Sequence, residues 1–79
     1  MKARIQITPK KGVLDPQGKA IVQALIALGF SSVKNVRQGK FLEIDLHDND
    51  RNQLISEVNE MCEKLLANTV IEDYKIDFE

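Results

Sequence analysis

Ala3, Ile5 and Ile7 alternate with Lys2, Arg4, Gln6 and Thr8, and this period of two constrains the fold more than any other feature. It returns at Leu42, Ile44 and Leu46, and again at Tyr74, Ile76 and Phe78 between Asp73, Lys75, Asp77 and Glu79. Alternation puts successive side chains on opposite faces of a strand, so each segment reads as a strand buried on one side only. Between the strands the period changes. Asp15-Pro16 marks a helix start, because the residue before proline favours extended geometry and proline loses no bond at the first helical position. That helix is expected to run to about Leu28, with Gly29 as its left-handed cap. Asp48-Asn49-Asp50 offers three N-caps for a second helix. Leu54, Ile55, Val58, Met61, Cys62, Leu65 and Leu66 then form its apolar stripe, with Asn68 at its C-cap.

The first helix lacks an ordinary polar side. From Ala20 to Leu28 only Gln23 is polar, which suggests that its outer side is covered as well. The alternative is that the small side chains of Ala20, Ala24 and Ala27 need no cover. Val33 to Arg37 reads as a further strand. Gln38-Gly39-Lys40 reads as a tight turn into Phe41–His47, with glycine supplying positive φ. One long strand over 33–47, bent by a bulge at Gly39, is the alternative.

The resulting order is β-α-β-β-α-β. It predicts an α+β, ferredoxin-like fold: an antiparallel sheet with two helices on one face. The first strand would lie beside the third and fourth. Lys2 and Arg4 would then face Glu43, Asp45, Asp77 and Glu79, and opposite charges across strands contribute about 0.2–1 kcal/mol each.

The 79 residues form a single domain over 1–79. A chain this short buries about 60% of its unfolded surface and holds only about 3–5 kcal/mol of intrinsic stability. Oligomerisation commonly makes up the difference. The formal charge of −1 gives no bulk attraction to nucleic acid or to an anionic membrane. No stretch has the about 20 apolar residues of a membrane span, and the amino terminus is not patterned as a signal peptide. The single cysteine fits a reducing compartment, so a cytoplasmic protein is expected.

Residues that usually carry chemistry are sparse. Cys62 lies on the apolar stripe, where a free cysteine behaves as a small hydrophobe. His47, the only histidine, ends a strand. One Cys and one His make no structural zinc set, and no metal site is expected. Gly12, Gly18 and Gly39 stand near Lys10, Lys11, Lys19 and Lys40, but their spacing fits neither a P-loop nor a dinucleotide fingerprint. Glycine inside the first helical turn costs about 1 kcal/mol against alanine, so Gly18 suggests close backbone approach of a partner, with sequence drift as the alternative. The open sheet face lacks the aromatic platform with which related folds stack RNA bases.

Three strings resemble one family. Val13-Leu14-Asp15-Pro16-Gln17-Gly18-Lys19-Ala20 looks like its D-P-x-G motif, and Val36-Arg37-Gln38-Gly39-Lys40 like its V-R-x-G-K turn. Met61 to Tyr74 looks like its C-terminal C-x-x-L-L-x-N-x-V-I-E-x-Y block. The chain is identified on these motifs as a member of the PurS family, the small subunit of phosphoribosylformylglycinamidine synthase. The resemblance implies a non-catalytic obligate subunit in purine biosynthesis. It would bridge a synthetase and a glutaminase subunit and help enclose ammonia in transit. The complex would use ATP and Mg, with no cofactor held by this chain. A homodimer is implied, with a tetramer as a further state. Asp15, Pro16, Gly18, Lys19, Arg37, Gly39 and Lys40 are the expected partner contacts. The alternative is a regulatory module of the same fold that binds a small molecule.

Overall fold

Three antiparallel strands in the order β2-β1-β3 form the sheet: β1 (Lys2–Pro9), β2 (Lys40–Asp45) and β3 (Glu72–Phe78). A computed structural model describes the whole chain, Met1 to Glu79. Strand β1 is central. It pairs Arg4 with Glu43 on one side and with Asp77 on the other, and Ile5 with Leu42 and Ile76. The charged alternation therefore meets across strands as expected. Lys2 Nζ lies 3.5 Å from Glu43, and Arg4 Nη1 lies 2.7 Å from Glu79. Exposed pairs of this kind contribute at most about 1 kcal/mol each, so their main effect is on register rather than on stability.

The opposite side of β1 forms the core. Ala3, Ile5 and Ile7 are fully buried against Val58 and Cys62. Helix α2 (Arg51–Met61) supplies Leu54 and Val58 and starts at Asp50, whose side chain accepts from the Gln53 N–H. The helix then widens. Residues Cys62–Leu66 form a π-helical turn closed by the Ala67 N–H donating to the Cys62 carbonyl. The extra residue in that turn brings Cys62 and Ala67 inward and rotates Leu65 out to 83% exposure. The expected apolar stripe therefore holds to Cys62 and fails at Leu65. The expected cap at Asn68 also moves: the chain is already extended at Ala67, and Asn68 organises the next turn by accepting from the Ile71 and Glu72 N–H groups.

Helix α1 (Pro16–Ala27) has the expected bounds. Asp15 caps its start by accepting from the Gly18 N–H. At its end Gly29 has φ +102°, and the Gly29 and Phe30 N–H groups bond to the carbonyls of Ile26 and Leu25. These are the two bonds of a Schellman cap.

Two expectations change beyond α1. Residues 33–39 run without helix, turn or bend and join no sheet, so this chain forms three strands where four were expected. A strand requires a ladder partner, and none lies within the chain for this segment. Gly39 is neither the turn nor a positive-φ residue; only Gly12 and Gly29 have positive φ. A Cβ at Gly39 would sit 2.1 Å from the Ile7 carbonyl oxygen, so glycine is needed for close backbone contact where β2 joins β1.

The second change concerns α1 itself. Of the two helices expected over one sheet face, α2 lies there. Helix α1 and residues 28–39 instead form an arm that projects from the sheet. The chain measures 51 × 24 × 14 Å with a radius of gyration of 16.2 Å. A compact domain of this length would have about 12 Å. Gly18 is the only buried residue of α1, while Ile21, Ile26, Leu28 and Phe30 are exposed. The sheet carries the complementary deficit: Leu42, Ile44, Tyr74, Ile76 and Phe78 point inward yet are only half-buried.

Candidate functional site

The two motifs meet at Asp15, which bonds Gln38, 23 residues further along the chain. Its Oδ1 accepts from the Gly18 N–H at 3.0 Å, and its Oδ2 accepts from the Gln38 N–H at 2.8 Å. One carboxylate therefore caps α1 and ties the extended segment 33–39 to the start of the helix. The N–H of Gln38 first and that of Gly18 second hold the Asp15 carboxyl below the usual carboxylate range. Hydrogen bonds to the charged form favour it, which accounts for the direction.

Gly18 has no side chain because Val36 occupies that space: a Cβ would lie 2.1 Å from the Val36 carbonyl oxygen. The close approach expected from a partner at Gly18 is instead made by the chain itself. Arg37 reaches back across the loop, with Nη1 donating to the Pro9 carbonyl at 3.2 Å. Lys40 Nζ lies 3.9 Å from Glu72. Pro16 occupies the first helical position and is exposed, as is Lys19. Five of the seven candidates thus hold the arm together or anchor it to the sheet, while Pro16 and Lys19 face outward.

Above this junction an open groove runs between the 10–15 loop, α1 and residues 34–37. Five cations line it, Lys10, Lys11, Lys19, Lys34 and Arg37, and Asp15 is its one acidic residue. Lys10, Lys11 and Lys34 were not singled out as site residues from sequence. They are spread over two segments and converge only because Asp15 and Gly18 fold 33–39 back along the helix.

Cys62 is fully buried, and burial first and Glu63 second push its thiol above the usual range. That direction is opposite to the one a thiolate nucleophile needs. Tyr74 is also shifted up, chiefly by the nearby Glu63 carboxylate. No cluster of three His, Cys, Asp or Glu side chains is placed to hold a metal ion. No helix is long and apolar enough to cross a membrane.

This geometry defines a small α+β domain with a half-covered sheet and a projecting arm. The chain belongs to the PurS family: residues 2–79 match the family model described as phosphoribosylformylglycinamidine (FGAM) synthase. It is 47% identical over 78 residues to the phosphoribosylformylglycinamidine synthase subunit PurS of Bacillus subtilis, covering 99% of this chain and 92% of that one. A crystal structure of B. subtilis PurS superposes with a TM-score of 0.90, covering 99% of this chain and 96% of that one. PurS of Methanocaldococcus jannaschii, described as one of the subunits of formylglycinamide ribonucleotide amidotransferase, gives 0.85 at 49% identity, with 99% and 94% covered. A chain in the structure of PurLQS from Thermotoga maritima also gives 0.85, at 29% identity, with 96% and 93% covered.

Proposed function

We propose that this chain is the small, non-catalytic subunit of phosphoribosylformylglycinamidine synthase. It acts as a homodimer that bridges the synthetase and glutaminase subunits in the cytoplasm. The observation that carries the reading is the detached arm: a helix with Ile21, Ile26, Leu28 and Phe30 exposed, beside a sheet whose inward residues are half-buried. Exposed apolar surface on this scale, next to a matching deficit, calls for a second chain. In the dimer, α1 of each copy covers the sheet of the other. Residues 33–39, which continue directly into β2, supply the missing strand to the other copy's sheet. Each sheet then has the four strands and two helices that the sequence pattern predicts. A tetramer would be a further association of two such dimers.

The chain's contribution to turnover is positional. Ammonia released by glutamine hydrolysis is mostly protonated in neutral water and is then not nucleophilic. Enclosing its route preserves the reactive form and excludes competing water. ATP and Mg are used by the synthetase subunit.

The test is reconstitution. Synthetase and glutaminase subunits are assayed for amidine formation with glutamine or with ammonium as nitrogen source, with and without this chain. Glutamine-dependent turnover should require the chain, and ammonium-dependent turnover should fall much less. Equal losses would replace the sealing role with general scaffolding, and no dependence with either source would overturn the subunit role. Sedimentation of the isolated chain as a monomer would overturn the dimer.

A further inference from the structure

The arm is one braced piece on two joints. Within it the Asp15 carboxylate accepts from both the Gly18 and the Gln38 N–H, and the Val36 carbonyl lies against Gly18, so α1 and residues 33–39 are held together. Two chain crossings join this piece to the sheet: residues 10–14 after β1, and Gly39 before β2. Lys40 pairs with Ile7, so both crossings lie at the same end of the sheet. Each contains a glycine. Gly12 has φ +87° and open space where a Cβ would stand. Gly39 is exposed and lacks positive φ, and the chain passes through it from the arm into β2 without a turn. The sequence pattern over 33–45 describes a different path, a hairpin with Gly39 at its turn.

Resting on the dimer proposed above, we propose that this chain has a second, closed state, a monomer in which the arm folds back over its own sheet about these two joints. Gln38-Gly39 then forms the hairpin turn, residues 33–37 pair with β2 of the same chain, and α1 covers the same chain's sheet. Closed monomer and dimer use the same contacts, so the dimer is the domain-swapped form of the fold that the sequence pattern describes. Three observations carry this. The exposed apolar residues of the arm, Ile21, Ile26, Leu28 and Phe30, and the half-buried inner face of the sheet belong to one chain and match each other in kind. The order β-α-β-β-α-β closes into a complete two-layer fold within a single copy. Gly39 suits both paths: in the open chain a Cβ there would meet the Ile7 carbonyl oxygen at 2.1 Å, and in the hairpin the position takes positive φ. The two states differ at the joints and in the number of copies, so concentration selects between them. A chain that has not met a second copy thereby buries its apolar arm instead of presenting it to water.

Sedimentation and small-angle X-ray scattering of the full chain over a dilution series test this. The open single chain has a radius of gyration of 16.2 Å, whereas a closed chain of this length has about 12 Å. On dilution the dimer should give a monomer of about 12 Å. Gln38→Asn puts an Asn-Gly pair at the turn, the strongest short hairpin signal, and should raise the dimer dissociation constant about tenfold, or about 1.4 kcal/mol. Inserting Asn-Gly between Gln38 and Gly39 lengthens the joint and should act in the same direction. Ile26→Ala removes a contact common to both states, so it should lower stability and leave the dissociation constant unchanged. A diluted monomer near 16.2 Å would overturn the closed state. So would a dimer that persists at every dilution in all variants, or a dissociation constant raised by Ile26→Ala and untouched by both turn variants, which is the behaviour of an ordinary interface. An unaltered chain that is monomeric and compact at every concentration would overturn the dimer and uphold the closed state; one that is monomeric and extended would overturn both.

Discussion

Replacing Gly18 by alanine sets two effects of opposite sign against each other. Gly18 lies in the first turn of α1, where alanine removes a backbone-entropy penalty of up to about 0.5–1 kcal/mol. By helix propensity alone the variant should be more stable. The structure predicts the reverse. The new Cβ would lie 2.1 Å from the Val36 carbonyl oxygen and 2.6 Å from Asp15 Oδ2, where side-chain contacts do not come closer than 3.0 Å. The Val36 obstacle is backbone, so it cannot rotate away, and the extended segment must retreat by roughly 1 Å. Overpacking of this kind costs about 1–3 kcal/mol. Retreat would also pull the Gln38 N–H off Asp15. The net expectation is a loss of about 1–2 kcal/mol. Urea unfolding followed by far-ultraviolet circular dichroism, at one fixed chain concentration, measures it. Gln23→Ala, exposed on the same helix, is the reference for propensity without a clash. Gly18→Ala with a midpoint at or above that of the unaltered chain would refute the close-approach reasoning. Gly39→Ala should be destabilised too, since its Cβ meets the Ile7 carbonyl oxygen at the same 2.1 Å.

Two further outcomes are expected. The Asp15 carboxyl titrates below its ordinary 3.8 in the folded chain, so its stabilising contribution is fully present above that pH and is lost as pH falls through the folded value. Asp15→Asn should therefore be less stable at neutral pH and should lose less stability on acidification, as read from urea midpoints between pH 7 and pH 3. Cys62 is buried with its thiol shifted up, so it should alkylate with iodoacetamide far more slowly in the native chain than in urea. Equal rates in the two conditions would contradict its burial.

The sequence was most legible where a single chain decides the outcome. The period of two at Ala3, Ile5 and Ile7 placed β1, and the opposed charges on its outer face anticipated its neighbours. Asp15, Pro16 and Gly29 marked both ends of α1 because caps are local chemistry. What escaped was non-local. Residues 33–37 have the composition of a strand, but strand formation depends on an available edge. Gly39 resembles a turn glycine, yet its constraint comes from the Ile7 carbonyl more than thirty residues away. Of the candidate site, the Asp15–Gly18 and Arg37–Lys40 pieces were legible as motifs. Their meeting through one carboxylate was not, nor was the gathering of Lys10, Lys11 and Lys34 beside them. Leu65 was misplaced because an α-helical count does not foresee a π turn, whose extra residue leaves no mark in the apolar spacing.

The π turn at Cys62–Leu66 also sets the surface frame at this end of the molecule. A turn closed from Ala67 to Cys62 holds one residue more than an α turn, so everything after it is displaced by one position around the helix axis. Deleting a single residue there would restore the α count and swing the outward leucine back toward the core. It would also change the point at which the chain leaves the helix for Asn68 and β3. The outward direction of Leu65 is therefore written by a count of residues rather than by its identity. Point substitutions can alter how sticky that position is, while an insertion or deletion would move it.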